Sequence, residues 1–372
     1  MKGVKKAAII ALVAITVAAC TMKKQAESEV SQAQLLDERL TTLQQKGYMS
    51  GHQDDPFYGV EWAYEDGKSD VLLSVGDYPA VMGFELGGIE MGEEKNLDSV
   101  PFSRIHDELI AHHERGGIVT ISWHPRNPLT GGTAWDTSDS TVVRSILRPK
   151  DRSVARNLPN GTQYKKFQDW MKRVGDFIAT LTDSNGTPIP IIFRPWHENN
   201  GSWFWWGQNL CSDEAFKELW NMLQDYMNGR GFDNLLWCYS PNLDGKWTKE
   251  RFMERYPGND RVTLLGVDAY QWGTEEEFVS SLTADLDFLT QYAKDNEKLI
   301  ALTECGLKNM PNSTWYSRVL KPVMDRYPIC YFLLWRNAGK QEFFGPVPGQ
   351  PSADDFKKLY EAKNVLFLKD IQ

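Results

Sequence analysis

The chain has 372 residues, 41% hydrophobic and 24% charged, which is ample for one large core. Its formal net charge of −9 argues against a nucleic-acid partner, because neutralising phosphates takes clustered Lys and Arg. An acidic balance fits a neutral substrate.

Residues 1–19 read as a targeting segment: Lys2, Lys5 and Lys6, then the apolar run Ala7 to Val17, then small residues before Cys20. The run is too short for a membrane span. The pattern resembles a bacterial lipobox, which makes Cys20 the lipidated first residue of the mature chain. Removing the segment takes away three lysines and no acids, so the mature chain is still more acidic. Thr21, Met22, Lys23 and Lys24 follow with no acidic cluster. The expectation is a protein held to a Gram-negative-type envelope only by its lipid, facing the periplasm rather than the cell surface. Residues 20–45 form a tether and a first helical segment around Ser31 to Leu43.

From residue 46 to 372 short apolar runs alternate with amphipathic stretches. Strands are expected at Gly47 to His52, Ala80 to Leu86, Ile118 to His124, Ile189 to Glu198, Asn234 to Ser240, Val262 to Tyr270, Leu299 to Cys305 and Ile329 to Trp335. Helices are expected at Val60 to Ser74, Phe102 to Glu114, Gln163 to Thr182, Ser212 to Met227, Thr248 to Arg255, Glu275 to Tyr292, Ser313 to Arg326 and Ala353 to Ala362. Eight such units without a composition break predict an α/β fold, a single-domain (β/α)₈ TIM barrel. An open doubly wound sheet would normally show a Gly-rich phosphate turn, and none is present. One connection is long, Arg126 to Gly161, and reads as a wall of the cleft above the barrel. Its Arg144, Arg148, Lys150 and Arg152 could close one end of that cleft. Cys211, Cys238, Cys305 and Cys330 have no metal-ligand spacing; the sequence does not decide whether any pair is bridged.

Barrel chemistry sits at the C-terminal ends of the strands. Those ends read His52; Glu85; Trp123 and His124; His197 and Glu198; Tyr239 and Asn242; Asp268 and Tyr270; Glu304; Trp335 and Arg336. Nearly all can bond to or stack on a sugar. The remaining histidines, His106, His112 and His113, share one helix and read as its solvated face. The stretch Pro190 to Trp206 turns from an apolar run to Arg194, His197 and Glu198, then to a row of aromatics expected to offer stacking faces. A second apolar run ends at Glu304. Two strand-end carboxylates with aromatics beside them point to glycoside hydrolysis, with one attacking the sugar and the other trading a proton. Glu198 should then be raised by apolar surroundings and by the Glu304 charge. No step calls for a metal or a cofactor.

The motifs WHP at 123–125, RPWHENNGSWFWWG at 194–207, VDAY at 267–270, TECG at 303–306 and LLWRN at the end of the eighth strand resemble glycoside hydrolase family 26, a group of retaining (β/α)₈ enzymes dominated by β-1,4-mannanases. The resemblance implies Glu198 as acid/base and Glu304 as nucleophile. It implies that His197 supports the acid and that His124 contacts the sugar at the cleaved position. Trp203 would lie on the leaving-group side. Asp268 and Tyr270 would hold the machinery, Trp335 would be the platform under the cleaved sugar, Arg336 a glycone-side contact and Trp135 a further subsite aromatic. The implied substrate is mannan, glucomannan or galactomannan, cut internally or at chain ends by a monomer. A mannobiose-releasing enzyme, a β-1,3-xylanase or mixed-linkage β-glucanase of the same family, and a lipid-anchored glycan-binding protein without turnover are the alternatives.

Overall fold

The computed structural model describes residues 30–148 and 161–372. The expected signal segment, Cys20, Lys150 and Arg152 lie outside the described residues. Eight parallel strands form the barrel: β1 (Tyr48–Gln53), β2 (Val81–Glu85), β3 (Ile118–Trp123), β4 (Ile191–Pro195), β5 (Leu235–Tyr239), β6 (Leu264–Tyr270), β7 (Leu299–Gly306) and β8 (Ile329–Leu334). They are hydrogen-bonded in sequence order, and β1 pairs with both β2 and β8, which closes the cylinder. This is the expected TIM barrel, and closure rules out the open sheet. The helices are α1 (Gln32–Gln44), α2 (Asp70–Val75), α3 (Phe102–Glu114), α4 (Val142–Ile146), α5 (Tyr164–Ile178), α6 (Asp213–Gly229), α7 (Lys249–Arg255), α8 (Glu275–Asn296), α9 (Lys321–Met324) and α10 (Pro351–Tyr360).

Strand periodicity of two sorts the side chains into two cores. On β4, Ile191 and Phe193 face the helices, whereas Ile192 faces the barrel interior. The helices follow their own signals. In α6, Ser212 caps the first turn by accepting from the Ala215 N–H, and Asp213 and Glu214 suit the positive end of the helix. Its Phe216, Leu219, Trp220, Leu223 and Met227 make one buried stripe, each side chain stabilising by about 1.5–3 kcal/mol. The segment α1 belongs to the barrel rather than to the tether. Its Leu36, Leu40 and Leu43 pack on Met49, Ile118, Ile192 and Leu264 at the strand starts and close the bottom of the cylinder.

Three expectations fail locally. The helix expected over Val60 to Ser74 forms only as α2. The Asp70 carboxylate accepts from Trp62 Nε1 at 2.7 Å and from the Val60 N–H at 3.3 Å, folding the preceding residues back as a loop. The helix expected over Ser313 to Arg326 contains a π-helical turn, Tyr316–Leu320, before α9; Pro322 has no N–H for the ordinary i−4 bond. His112 is not on a solvated face. It is fully buried, its Nε2 lies 3.3 Å from the Ala80 carbonyl, and burial lowers its pKa to about 4.

Candidate active site

The C-terminal ends of the strands surround an open cleft of about 580 Å³. β4 delivers Glu198 to it through a strained turn. Trp196 (φ 54°) and Glu198 (φ 51°) both adopt the left-handed backbone that side chains avoid. Such strain persists only where surrounding contacts over-determine it, and the aromatic row provides them. Trp196 is buried with its ring centroid 5.4–5.5 Å from those of Trp123, Trp205 and Trp206. Trp206 Nε1 donates to the His197 carbonyl at 2.9 Å, and the Glu198 N–H donates to the Ser240 carbonyl at 2.8 Å. Trp205 and Trp206 are therefore packed scaffold rather than the stacking faces expected from sequence, while Phe204, largely buried, still lines the cleft. Trp203 alone in that row is exposed, and its Nε1 donates to Glu198 Oε2 at 2.6 Å. Burial, then the nearby Glu304 charge, raise the Glu198 carboxyl to about 7.

Glu304 is aimed by an irregularity of β7. Val267 pairs with Leu302, yet the next residue, Asp268, pairs with Glu304, so β7 carries one extra residue there. Thr303 and Glu304 thus both reach the site. Gly266 leaves the room: a Cβ there would lie 2.4 Å from Thr303 Oγ1. Tyr270 donates to Glu304 Oε2 at 2.6 Å, and Arg194 donates to Oε1. The same guanidinium donates to Asp268 Oδ2 at 2.9 Å, while Thr303 Oγ1 donates to Asp268 Oδ1 at 2.6 Å. Burial pushes the Asp268 carboxyl up against the pull of Arg194. Carboxyl oxygens of Glu198, Asp268 and Glu304 lie within 4.8 Å of one another. Three acids this close could share a cation, and Arg194 supplies positive charge to two of them.

The two histidines are shifted in opposite directions. His124 Nδ1 lies 2.7 Å from Glu85 Oε2, and its backbone N–H donates to Glu85 Oε1 at 2.8 Å. Burial disfavours charge on His124, but the Glu85 carboxylate outweighs it and raises the imidazole pKa. His197 stands edge-on to it at 4.3 Å, and burial followed by the His124 charge depresses it well below the usual range. Its Nε2 lies 3.9 Å from Glu304 Oε1.

Of the ten expected sugar-site residues, nine line the cleft: His124, Trp135, His197, Glu198, Trp203, Tyr270, Glu304, Trp335 and Arg336. Asp268 lies beneath them, fully buried. Trp135 stacks on His124 at 5.3 Å, so the long connection does wall the cleft. Arg336 is braced by Asp98 at 2.9 Å and Glu342 at 3.3 Å. Asn242 at the end of β5 also lines the cleft, whereas the strand-end residues His52 and Tyr239 do not. His52 turns away to Asp55, at 2.6 Å, and Tyr239 is buried against Asn199. Arg144 lines a separate cavity with Ser140 and Cys211, and Arg148 sits 3.8 Å over Tyr164, so neither closes the cleft. Among the described residues the four cysteines, Cys211, Cys238, Cys305 and Cys330, are free thiols. The sequence pattern assigned no role to Arg194, which bonds both Asp268 and Glu304, nor to Trp272 at the cleft rim. The signal for Arg194 was available: counting by two from the inward Ile192 puts it inside the barrel.

Residues 25–365 match the model of glycosyl hydrolase family 26. The chain is 29% identical over 331 residues to a mannan endo-1,4-β-mannosidase of Bifidobacterium adolescentis, a match covering 82% of this chain and 31% of that protein, so this chain spans about a third of its length. It is 28% identical over 298 residues to the mannan endo-1,4-β-mannosidase of Bacillus subtilis, covering 78% and 73% of the two chains. Among solved structures, a GH26 β-mannanase from Bacteroides ovatus superposes with a TM-score of 0.86 and 42% identity, covering 91% of this chain and 95% of that one. The catalytic domain of a GH26 endo-β-1,4-mannanase from Bacillus sp. JAMB-750 gives 0.79 and 28%, covering 91% and 93%. With a family match running over nearly its whole length, the chain belongs to glycosyl hydrolase family 26.

Proposed function

We propose that the protein is a retaining β-1,4-mannanase that cuts within mannan, glucomannan or galactomannan chains. The observation that carries the mechanism is the approach of Glu198 and Glu304, with oxygens within 4.8 Å. Retention by double displacement takes carboxyls ~5–5.5 Å apart, whereas inversion leaves ~6.5–9.5 Å for an intervening water. The substrate choice rests on the mannanase names of the relatives.

In the first step Glu304 attacks the anomeric carbon while Glu198 gives its proton to the departing sugar oxygen. In the second, Glu198 takes a proton from water, and that water displaces Glu304 from the anomeric carbon. Arg194 and Tyr270 hold Glu304 in place by donating to both of its oxygens. A carboxyl near 7 is still largely protonated in mildly acid solution, as the first step needs. Asp268 holds Arg194. His124, oriented by Glu85, and neutral His197 frame the cleaved sugar, Trp335 lies under it, and Arg336 is a contact on its glycone side. Trp203 meets the leaving sugar, and Trp135 adds a wall.

Three measurements test this. Product profiling on long mannan should show mixed oligosaccharides early; disaccharide alone from the start would mean chain-end action. Proton NMR during hydrolysis should show the β-anomer first, and an α-anomer first would sink the double displacement. Preference for β-1,3-xylan or lichenan over mannan would move the enzyme to another sugar.

The anchoring reading is lipidation at Cys20, a periplasmic location and a monomeric catalytic unit. The first described residues lead into α1, which packs on the bottom of the barrel. Fatty-acid labelling that persists in Cys20→Ala would reject the lipidation.

A further inference from the structure

The exposed indoles of the chain gather at one place. Among the described residues three tryptophans are exposed, Trp135, Trp203 and Trp272, and all three line the cleft. Trp135 stacks on His124 and Trp203 bonds Glu198. Trp272 is the most exposed of them at 72%, and nothing in the chemistry above uses it. An exposed apolar surface at the rim of a groove marks a binding contact more often than a packing one.

The position of this indole is built. Gln271, just before it, is buried; its N–H donates to the Gly306 carbonyl at 3.0 Å and its Oε1 accepts from Trp315 Nε1 at 2.7 Å. The Trp272 ring then lies 5.7 Å from Tyr270 at an interplanar angle of 31°. One end of the segment is fixed at the catalytic carboxylates, and the indole is left facing the cleft.

The barrel order says which part of a sugar chain it meets. β4 and β7, bearing Glu198 and Glu304, divide the mouth into two arcs. The arc through β8, β1, β2 and β3 carries Trp335, Arg336, Asp98 and His124. The arc through β5 and β6 carries Asn242 and Trp272. A chain whose cleaved sugar rests on Trp335 crosses between the glutamates and leaves over the second arc. We infer that Trp272 is a stacking platform for a leaving-group-side sugar beyond the one at Trp203, which rests on the endo-mannanase reading. A β-linked pyranose offers its C–H face to a flat indole, so the contact selects long substrates rather than a particular bond.

The test compares the parent with Trp272→Ala on mannohexaose and on a nitrophenyl β-mannobioside, whose leaving group ends before this position. Expected are an approximately tenfold fall in kcat/KM on mannohexaose, less than twofold change on the nitrophenyl substrate, and recovery of most of the loss in Trp272→Phe. Cleavage in ¹⁸O-water should shift toward products with fewer sugars on the leaving side. An unchanged rate on mannohexaose, or equal losses on both substrates, overturns the assignment. If the parent cuts neither mannan nor mannohexaose, the endo-mannanase reading falls on the parent alone, before any variant is read.

Discussion

The Trp203 indole N–H donates to Glu198 Oε2 across 2.6 Å, so the wall of the cleft is bonded to the proposed proton donor. That bond favours the ionised carboxyl and works against the burial that raises it to about 7. Removing it in Trp203→Phe should therefore move the Glu198 pKa further up. The alkaline limb of kcat/KM, where the acid has lost its proton, should shift to higher pH by roughly half a unit to one unit, the size of one partly exposed hydrogen bond to a charged group. A profile that falls in height without moving its limb would mean that Trp203 serves only as a sugar contact.

The two glutamates should fail differently. Glu304→Ala removes the attacking group, so it should abolish turnover of mannan and of aryl mannosides alike, and added azide should restore turnover with an α-configured product. Glu198→Ala should slow mannan cleavage by about 10²–10⁴-fold, the usual worth of general acid catalysis, yet largely spare attack on a nitrophenyl substrate whose leaving group needs no proton. Equal losses on both substrates in Glu198→Ala would contradict the assignment.

The difference between what the sequence disclosed and what it hid has a physical basis. Both glutamates end apolar runs, and a barrel gathers every strand end at one mouth, so local pattern alone brought them together. Arg194 was hidden because its partners, Asp268 and Glu304, are 74 and 110 residues away; a mid-run arginine reads as an interruption until the barrel closes around it. His52 shows the opposite error: it ends a strand, but its parity turns it outward to Asp55. The β7 irregularity that aims Glu304 is likewise a matter of pairing between strands, which no single stretch records.

Arg194 is the charge that lets Asp268 and Glu304 share a buried site, its own side chain being 2% exposed. Arg194→Met should strand two carboxylates and cost roughly 3–5 kcal/mol of unfolding free energy at neutral pH. Acid relieves the damage, because the stranded carboxylates can take up protons, so the gap between parent and variant should narrow from pH 7 to pH 5. Urea unfolding at the two pH values measures it. A gap that stays constant or widens toward acid would show that Arg194 does not carry this compensation.

His112 provides a stability switch remote from the cleft. Its pKa falls from 6.5 to about 4 on folding because burial penalises the imidazolium, so between those values the unfolded chain binds more protons than the folded one. Stability must then drop as pH falls from 6.5 toward 4, by roughly 3 kcal/mol in full. His112→Gln keeps an amide donor toward the Ala80 carbonyl but cannot titrate. Urea unfolding of the parent and variant at pH 7.5 and 4.5 should show the parent losing roughly 2–3 kcal/mol more than the variant over that interval. Parallel losses in the two proteins would mean that His112 is already protonated in the folded state, in conflict with its burial against the β2 strand start.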